Sequence, residues 1–158
     1  MNPENNSTTS ATTDREILST RLIAAPRALL WRAWTEPQHL ARWWGPKGFM
    51  NTFREFDPRV GGHWRFTMHG PDGKNYDNHS VFAELTAPER IVLDHLSEPK
   101  FRVTATFAEE AGGTRVRFLM SFESAAVCAA VRSICVPSNE ENFDRLEAEL
   151  ARMSAAKL

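Results

Sequence analysis

Between Thr52 and Phe122 the chain carries six strand-like runs that recur about every ten residues, and this spacing constrains the fold more than any other feature. The runs cover residues 52–56, 63–69, 76–85, 90–96, 101–107 and 114–122. In the last two, apolar residues recur at every second position, as in Phe101, Val103, Ala105 and Phe107, and again in Val116, Phe118, Met120 and Phe122. Trp64, Phe66 and Met68 show the same alternation earlier. Gly70-Pro71-Asp72-Gly73 and Gly112-Gly113 supply the turns. A period of two with short turns predicts an antiparallel meander with one apolar face, which needs a partner layer.

Two segments offer that layer. Residues 26–46, PRALLWRAWTEPQHLARWWGP, hold Trp31, Trp34, Trp43 and Trp44, four of the five tryptophans. They read as two short helices meeting at Pro37, the first opening at Pro26, the second capped by Thr35, with Gly45 and Pro46 as the stop. Trp43 and Trp44 are about 100° apart on a helix, so one is expected inward and the other near an opening. At the other end, Ser124 caps a helix that Pro137 is expected to end or kink near Cys135. A second helix begins at the capping box Ser138/Glu141. Phe143, Leu146, Leu150 and Met153 form its apolar stripe, opposite Glu140, Arg145, Glu149 and Arg152. Residues 16–23 add a strand before the tryptophans. Residues 1–13 are rich in Asn, Ser and Thr and are expected to be a disordered leader, with residues 14–158 forming one domain. The order implies an α+β fold in which a curved antiparallel sheet of six to seven strands wraps around a long C-terminal helix, with two short helices after the first strand.

Composition narrows the partners. With 19 Lys+Arg against 20 Asp+Glu and no basic run, nucleic acid is not expected. No stretch has the roughly 18 apolar residues of a membrane span, and no apolar segment marks a secretory signal, which points to a cytoplasmic protein. Cys128 and Cys135 are seven apart on a helix, about 10 Å, too far for a disulfide, so free thiols are expected. Metal-ligand spacings, the GxSxG elbow and the phosphate loop are absent from the sequence, and no cofactor or metal is expected. His63 and His69 lie about 20 Å apart along one strand and cannot share a metal.

The residues R-L-I-A-A-P-R (21–27), W-R-A-W-T-E-P (31–37), R-W-W-G-P (42–46), F-D-P-R-V-G-G-H-W-R (56–65), G-P-D-G (70–73), P-E-R-I-V (88–92) and D-R-L (144–146) resemble the START-like superfamily. Within it they resemble the branch related to the activator of the ninety-kilodalton heat-shock chaperone's ATPase, over about residues 14–154. The resemblance implies the helix-grip fold and a hydrophobic cavity between the sheet and the last helix. Many relatives have Gly-Trp where this chain has Ser138-Asn139.

Candidate cavity walls are Trp64, Phe66, Met68, Phe101, Val103, Phe118 and Met120 from the strands and Phe143, Leu146 and Leu150 from the helix, with Trp43 at the mouth. By pattern alone these side chains fill one another's space. The resemblance favours a cavity that takes a small hydrophobic or aromatic molecule or a lipid. Asp77, His79, Asp94 and His95 form the one polar cluster suggestive of chemistry: a simple hairpin about Ala87 sets His79 opposite His95. Their face is left open, because a one-residue slip reverses it. No residue is assigned a catalytic role. Three functions remain: ligand binding with His79 or His95 orienting a polar group; a polyketide cyclase-like enzyme using cavity His, Asp and Tyr; and a co-chaperone of the heat-shock chaperone ATPase. The last is weakened because the eukaryotic activator has a further N-terminal domain that these residues leave no room for. A monomer or a homodimer is compatible with all three.

Overall fold

The computed structural model describes residues 7–10 and 13–156. Eight strands form one antiparallel sheet: β1 (Ser7–Ser10), β2 (Glu16–Ile23), β3 (Met50–Phe56), β4 (His63–His69), β5 (Asn75–Thr86), β6 (Arg90–His95), β7 (Phe101–Glu110) and β8 (Gly113–Phe122), in the order β1-β2-β8-β7-β6-β5-β4-β3. Two short helices, α1 (Arg27–Thr35) and α2 (Pro37–Trp43), follow β2, and α3 (Ala125–Ala156) closes the chain. The curved sheet and long C-terminal helix are those of the helix grip. The strand expected at 16–23 has those bounds. Ser7–Ser10 lies in the stretch read as a leader, yet its backbone pairs with the outer edge of β2 and covers an otherwise open edge. The rest of residues 1–12 lies outside the described residues.

Two bulges shape the sheet. Pairing slips by one residue between Phe53 and Glu55 against β4, and between Phe82 and Glu84 against β6. Each extra residue turns the strand, so Phe53 and Phe56, three apart, both meet the aromatic core, with ring centroids 5.6 Å from each other. The same device puts Phe82 opposite Leu93 and Leu85 opposite Ile91, and Leu93 and Ile91 are fully buried.

The helices depart from expectation at their ends. Thr35 does not cap α2; its hydroxyl donates back to the Trp31 carbonyl at 2.7 Å, and Glu36, held extended before Pro37, is the residue between the helices. Ser124 does cap α3, its Oγ accepting the Val127 N–H at 3.2 Å. The break expected at Pro137 is absent, and α3 runs through it for 32 residues. Pro137 and Ser133 face solvent, so water can take the Ser133 carbonyl that the proline leaves without an N–H. Contacts on both sides also hold the helix to β2: Arg132 donates to the Glu16 carbonyl and Asn139 to Ser19 Oγ. The capping box at Ser138 therefore has no helix start to cap, and Glu141 accepts the Lys47 N–H instead.

Phe143, Leu146, Leu150 and Met153 are buried as one stripe. Much of the opposite, polar face is also engaged, although Arg152 itself stays exposed. Glu149 is only 2% exposed and meets His39 Nδ1 at 2.7 Å and Arg152 at 2.6 Å. Arg145 donates to five backbone carbonyls, those of Arg42, Trp44, Gly45, Pro46 and Phe49. Buried Arg21 crosses from β2 to Glu140, Asp144 and Glu147.

Candidate functional site

Cross-strand partners share a face, so the register assigns every strand residue a side. One row runs across the sheet as Phe122, Phe101, His95, Ser80, Trp64 and Phe56. The next holds Met120, Val103, Leu93 and Phe82. Both lie on the concave face, which also carries Phe118 and the Arg21 that reaches α3. Trp64, Phe66, Val103, Phe118, Met120, Phe143 and Leu146 are buried; Met68 and Phe101 are half-buried. The sequence-derived wall residues are thus brought together, and Trp43 borders the same interior space as Phe118 and Phe143. The Trp43 side chain is buried within the helical hairpin, its indole N–H donated to the Ala33 carbonyl at 2.9 Å. Trp44 instead reaches the sheet, with its ring 5.0 Å from Trp64 and 6.1 Å from Phe118, and it is only half-buried.

The two histidines are separated. The bulge after Phe82 shifts the hairpin, so His95 faces Ser80 rather than His79. His79 lies opposite Arg65 on the convex face, with its Nε2 2.8 Å from His63 Nδ1. Asp77, bonded to Thr67, and Asp94, paired with Arg102, share that outer face. Burial, then Arg65 and His63, push the His79 pKa down.

His95 stands alone among the aromatic residues of its row. Its ring stacks on Phe101 at 4.5 Å, Nδ1 lies 3.0 Å from the Pro99 carbonyl and Nε2 lies 2.7 Å from Asn78 Oδ1. A carbonyl only accepts, so Nδ1 carries a proton; a neutral ring then offers Nε2 as an acceptor, whereas a protonated ring donates to both oxygens. Burial outweighs these contacts and pushes the pKa down, with the Pro99 carbonyl opposing. A hollow of about 330 Å³ at the end of the row, where the chain turns into α3, takes in His95, Phe101 and Phe122 and reaches round the strand ends to Asp94, Arg102 and Ser121, with Lys100 and Glu123 at its rim. Deeper, between Trp34, Trp43, Phe118 and α3, the interior space is only about 10 Å³, because aromatic rings fill it.

Sequence reasoning missed Trp34, Trp44, Phe53, Phe56, Phe82 and Phe122 as parts of this wall. Phe122 was legible in the alternation of β8. Phe53 and Phe56 were not, since odd spacing puts them on opposite faces unless a bulge intervenes. Among the described residues no cluster of three or more His, Cys, Asp or Glu is arranged for a metal, and no helix is long and apolar enough to cross a membrane.

The family model described as "Activator of Hsp90 ATPase homolog 1-like protein" matches residues 24–151, which include the tryptophan hairpin, β3 to β8 and most of α3. The chain belongs to this family. Solved structures share the architecture. A Nitrosomonas europaea protein is 22% identical with a TM-score of 0.84, covering 90% of this chain and 98% of that one. A Rhodobacter sphaeroides protein is 24% identical with a TM-score of 0.83, covering 92% and 98%. An Aeromonas hydrophila protein, itself titled AHSA1-like, is 24% identical with a TM-score of 0.71, covering 88% and 94%. These likenesses show the fold alone. No curated protein matches the chain. Members of the activator-like family are thus recognisable in this chain by its framework, and function has to be argued from the site.

Proposed function

We propose that this protein binds a small apolar or aromatic molecule against the concave face of its sheet, with His95 orienting the ligand's polar group. The observation that supports this reading is an imidazole set in an aromatic row beside a hollow of about 330 Å³, a volume within the range of small-molecule sites. Phe101 and Phe122 offer ring faces, Asp94, Lys100, Arg102, Ser121 and Glu123 give the hollow a polar rim, and the imidazole meets a ligand's polar group by exchanging its Asn78 contact for it. The buried candidates Trp64, Phe66, Val103, Phe118, Met120, Phe143 and Leu146 continue the apolar interior away from the hollow, with residues 14–158 acting as one unit.

A polyketide cyclase-like enzyme would draw on His79 and Asp94 together with His95 and Tyr76. The register puts the first two on the face away from the last two, so this acid/base set is divided by the sheet. A chaperone partner has the family's description in its favour and no particular surface of this chain. The free thiols of Cys128 and Cys135 suit a reducing compartment, in keeping with a cytoplasmic protein.

Native mass spectrometry of protein purified from cells tests the proposal. A bound mass that solvent extraction removes, together with tryptophan quenching by members of a lipid and aromatic panel, is the expected result. A clean apo mass with no quenching across the panel overturns it.

A further inference from the structure

Two indole N–H groups are buried without an acceptor: Trp34 Nε1 and Trp64 Nε1. Their residues are 2% and 1% exposed. Native interiors rarely leave a donor in this state, because water has been removed and nothing replaces it. Trp43, beside them, shows the ordinary arrangement, its N–H satisfied by the Ala33 carbonyl.

Between the two orphaned donors lies Trp44. Its ring centroid is 5.7 Å from that of Trp34 and 5.0 Å from that of Trp64. It is half-buried where its neighbours are closed off. The Trp44 backbone is fixed independently of the ring: its N–H donates to the Leu40 carbonyl, and its own carbonyl accepts from Asn51 Nδ2 at 2.8 Å and from Arg145 at 3.2 Å. Rotation about the side-chain bonds can therefore move the indole toward solvent while the chain stays in place. The departing ring leaves a bicyclic-sized space flanked by aromatic faces. The cavity of about 10 Å³ beside Trp34 is close to the size of one water, so it has room for a single oxygen atom and none for a ring.

We propose that the Trp44 indole is a replaceable plug, and that an aromatic ligand bearing a carbonyl-type oxygen takes its place, the oxygen accepting the N–H of Trp34 or Trp64. This rests on the ligand-binding reading and adds to the His95 hollow a separate, ring-sized subsite at Trp44 that takes acceptor-bearing aromatics.

The test compares 2-acetylnaphthalene with 2-ethylnaphthalene, similar in shape but differing in the acceptor, on the wild-type protein labelled with ¹⁵N at tryptophan. The ketone is expected to bind about tenfold tighter and to move the Trp34 or Trp64 indole N–H resonance downfield. Trp34→Phe or Trp64→Phe, whichever removes the shifted resonance, should bring the two affinities within about twofold. Trp44→Leu should tighten both. Equal affinities with unmoved indole resonances overturn the inference and leave ligand binding standing, as does persistent contact of both N–H groups with water in saturated protein. Binding by neither probe overturns the inference and leaves the ligand-binding reading to the lipid and aromatic panel.

Discussion

Arg145 of α3 donates from Nη1 to the carbonyl of Gly45 at 2.8 Å, across 100 residues of sequence. The same guanidinium collects four more carbonyls from the segment between Arg42 and Phe49. These bonds join the last helix to the loop that carries Trp44. Burial pushes the Arg145 pKa down, yet carbonyl dipoles surround the charge. Arg145→Met should cost about 3 kcal/mol, and Arg145→Lys nearly as much, since an ammonium has three donors on a flexible stem and cannot reproduce the planar fork. Urea titration checks this; a loss under about 1 kcal/mol in both variants would show that the loop holds itself.

Arg21 is the corresponding tie on the other flank. Its side chain is 9% exposed and reaches Asp144 at 2.7 Å, Glu147 at 2.8 Å and Glu140 at 3.0 Å, with the Phe143 ring 5.3 Å away. Arg21→Leu is expected to cost about 2–3 kcal/mol, less than loss of a partner from a fully buried pair, because the three carboxylates can rehydrate. Chemical denaturation measures it, and an unchanged midpoint would refute the assignment.

Pro137 lies exposed inside α3. Replacing it with alanine restores an N–H and removes a ring clash, at a small cost from a freer unfolded chain. Pro137→Ala should stabilise by about 1–2 kcal/mol. A thermal melt with Tm unchanged or lowered would mean that the proline serves the packing of the helix.

The His95 pKa lies below its ordinary value of 6.5 in the folded protein, with burial the leading cause. Between the folded and ordinary values the unfolded chain holds more protons, so stability falls as pH drops through 6.5 toward the folded pKa. His79 is shifted in the same direction. The expected result is therefore a difference: Tm measured from pH 8 to 5 should fall less steeply for His95→Gln than for the wild type. Parallel curves would remove the imidazole from the account.

Much of this architecture was legible in the sequence. Period-two alternation in β4, β7 and β8, glycine turns, the tryptophan hairpin around Pro37 and the stripe from Phe143 to Met153 depend on local spacing, and each element lies where that spacing put it. The helix Pro137 was expected to break shows the limit of such reasoning. A local rule charges the proline its full cost, but solvent access at Ser133 and anchoring to β2 reduce it.

The candidate site depended on tertiary structure more heavily. Which strand residues are apolar was evident from the chain, but single-residue slips at the two bulges decided which of them share a face. Those slips sent His95 to the concave side and His79 to the convex side, and brought Phe53 and Phe56 together. The polar side of α3 likewise finds partners about 100 residues away, Glu149 with His39, Arg145 with the Gly45 carbonyl and Asp144 with Arg21, which spacing along the helix does not reveal. Periodicity along a chain determines which elements form and which side of each is apolar. Register, bulges and long-range hydrogen bonds are settled only when the strands and helices meet, because their energies depend on groups distant in sequence.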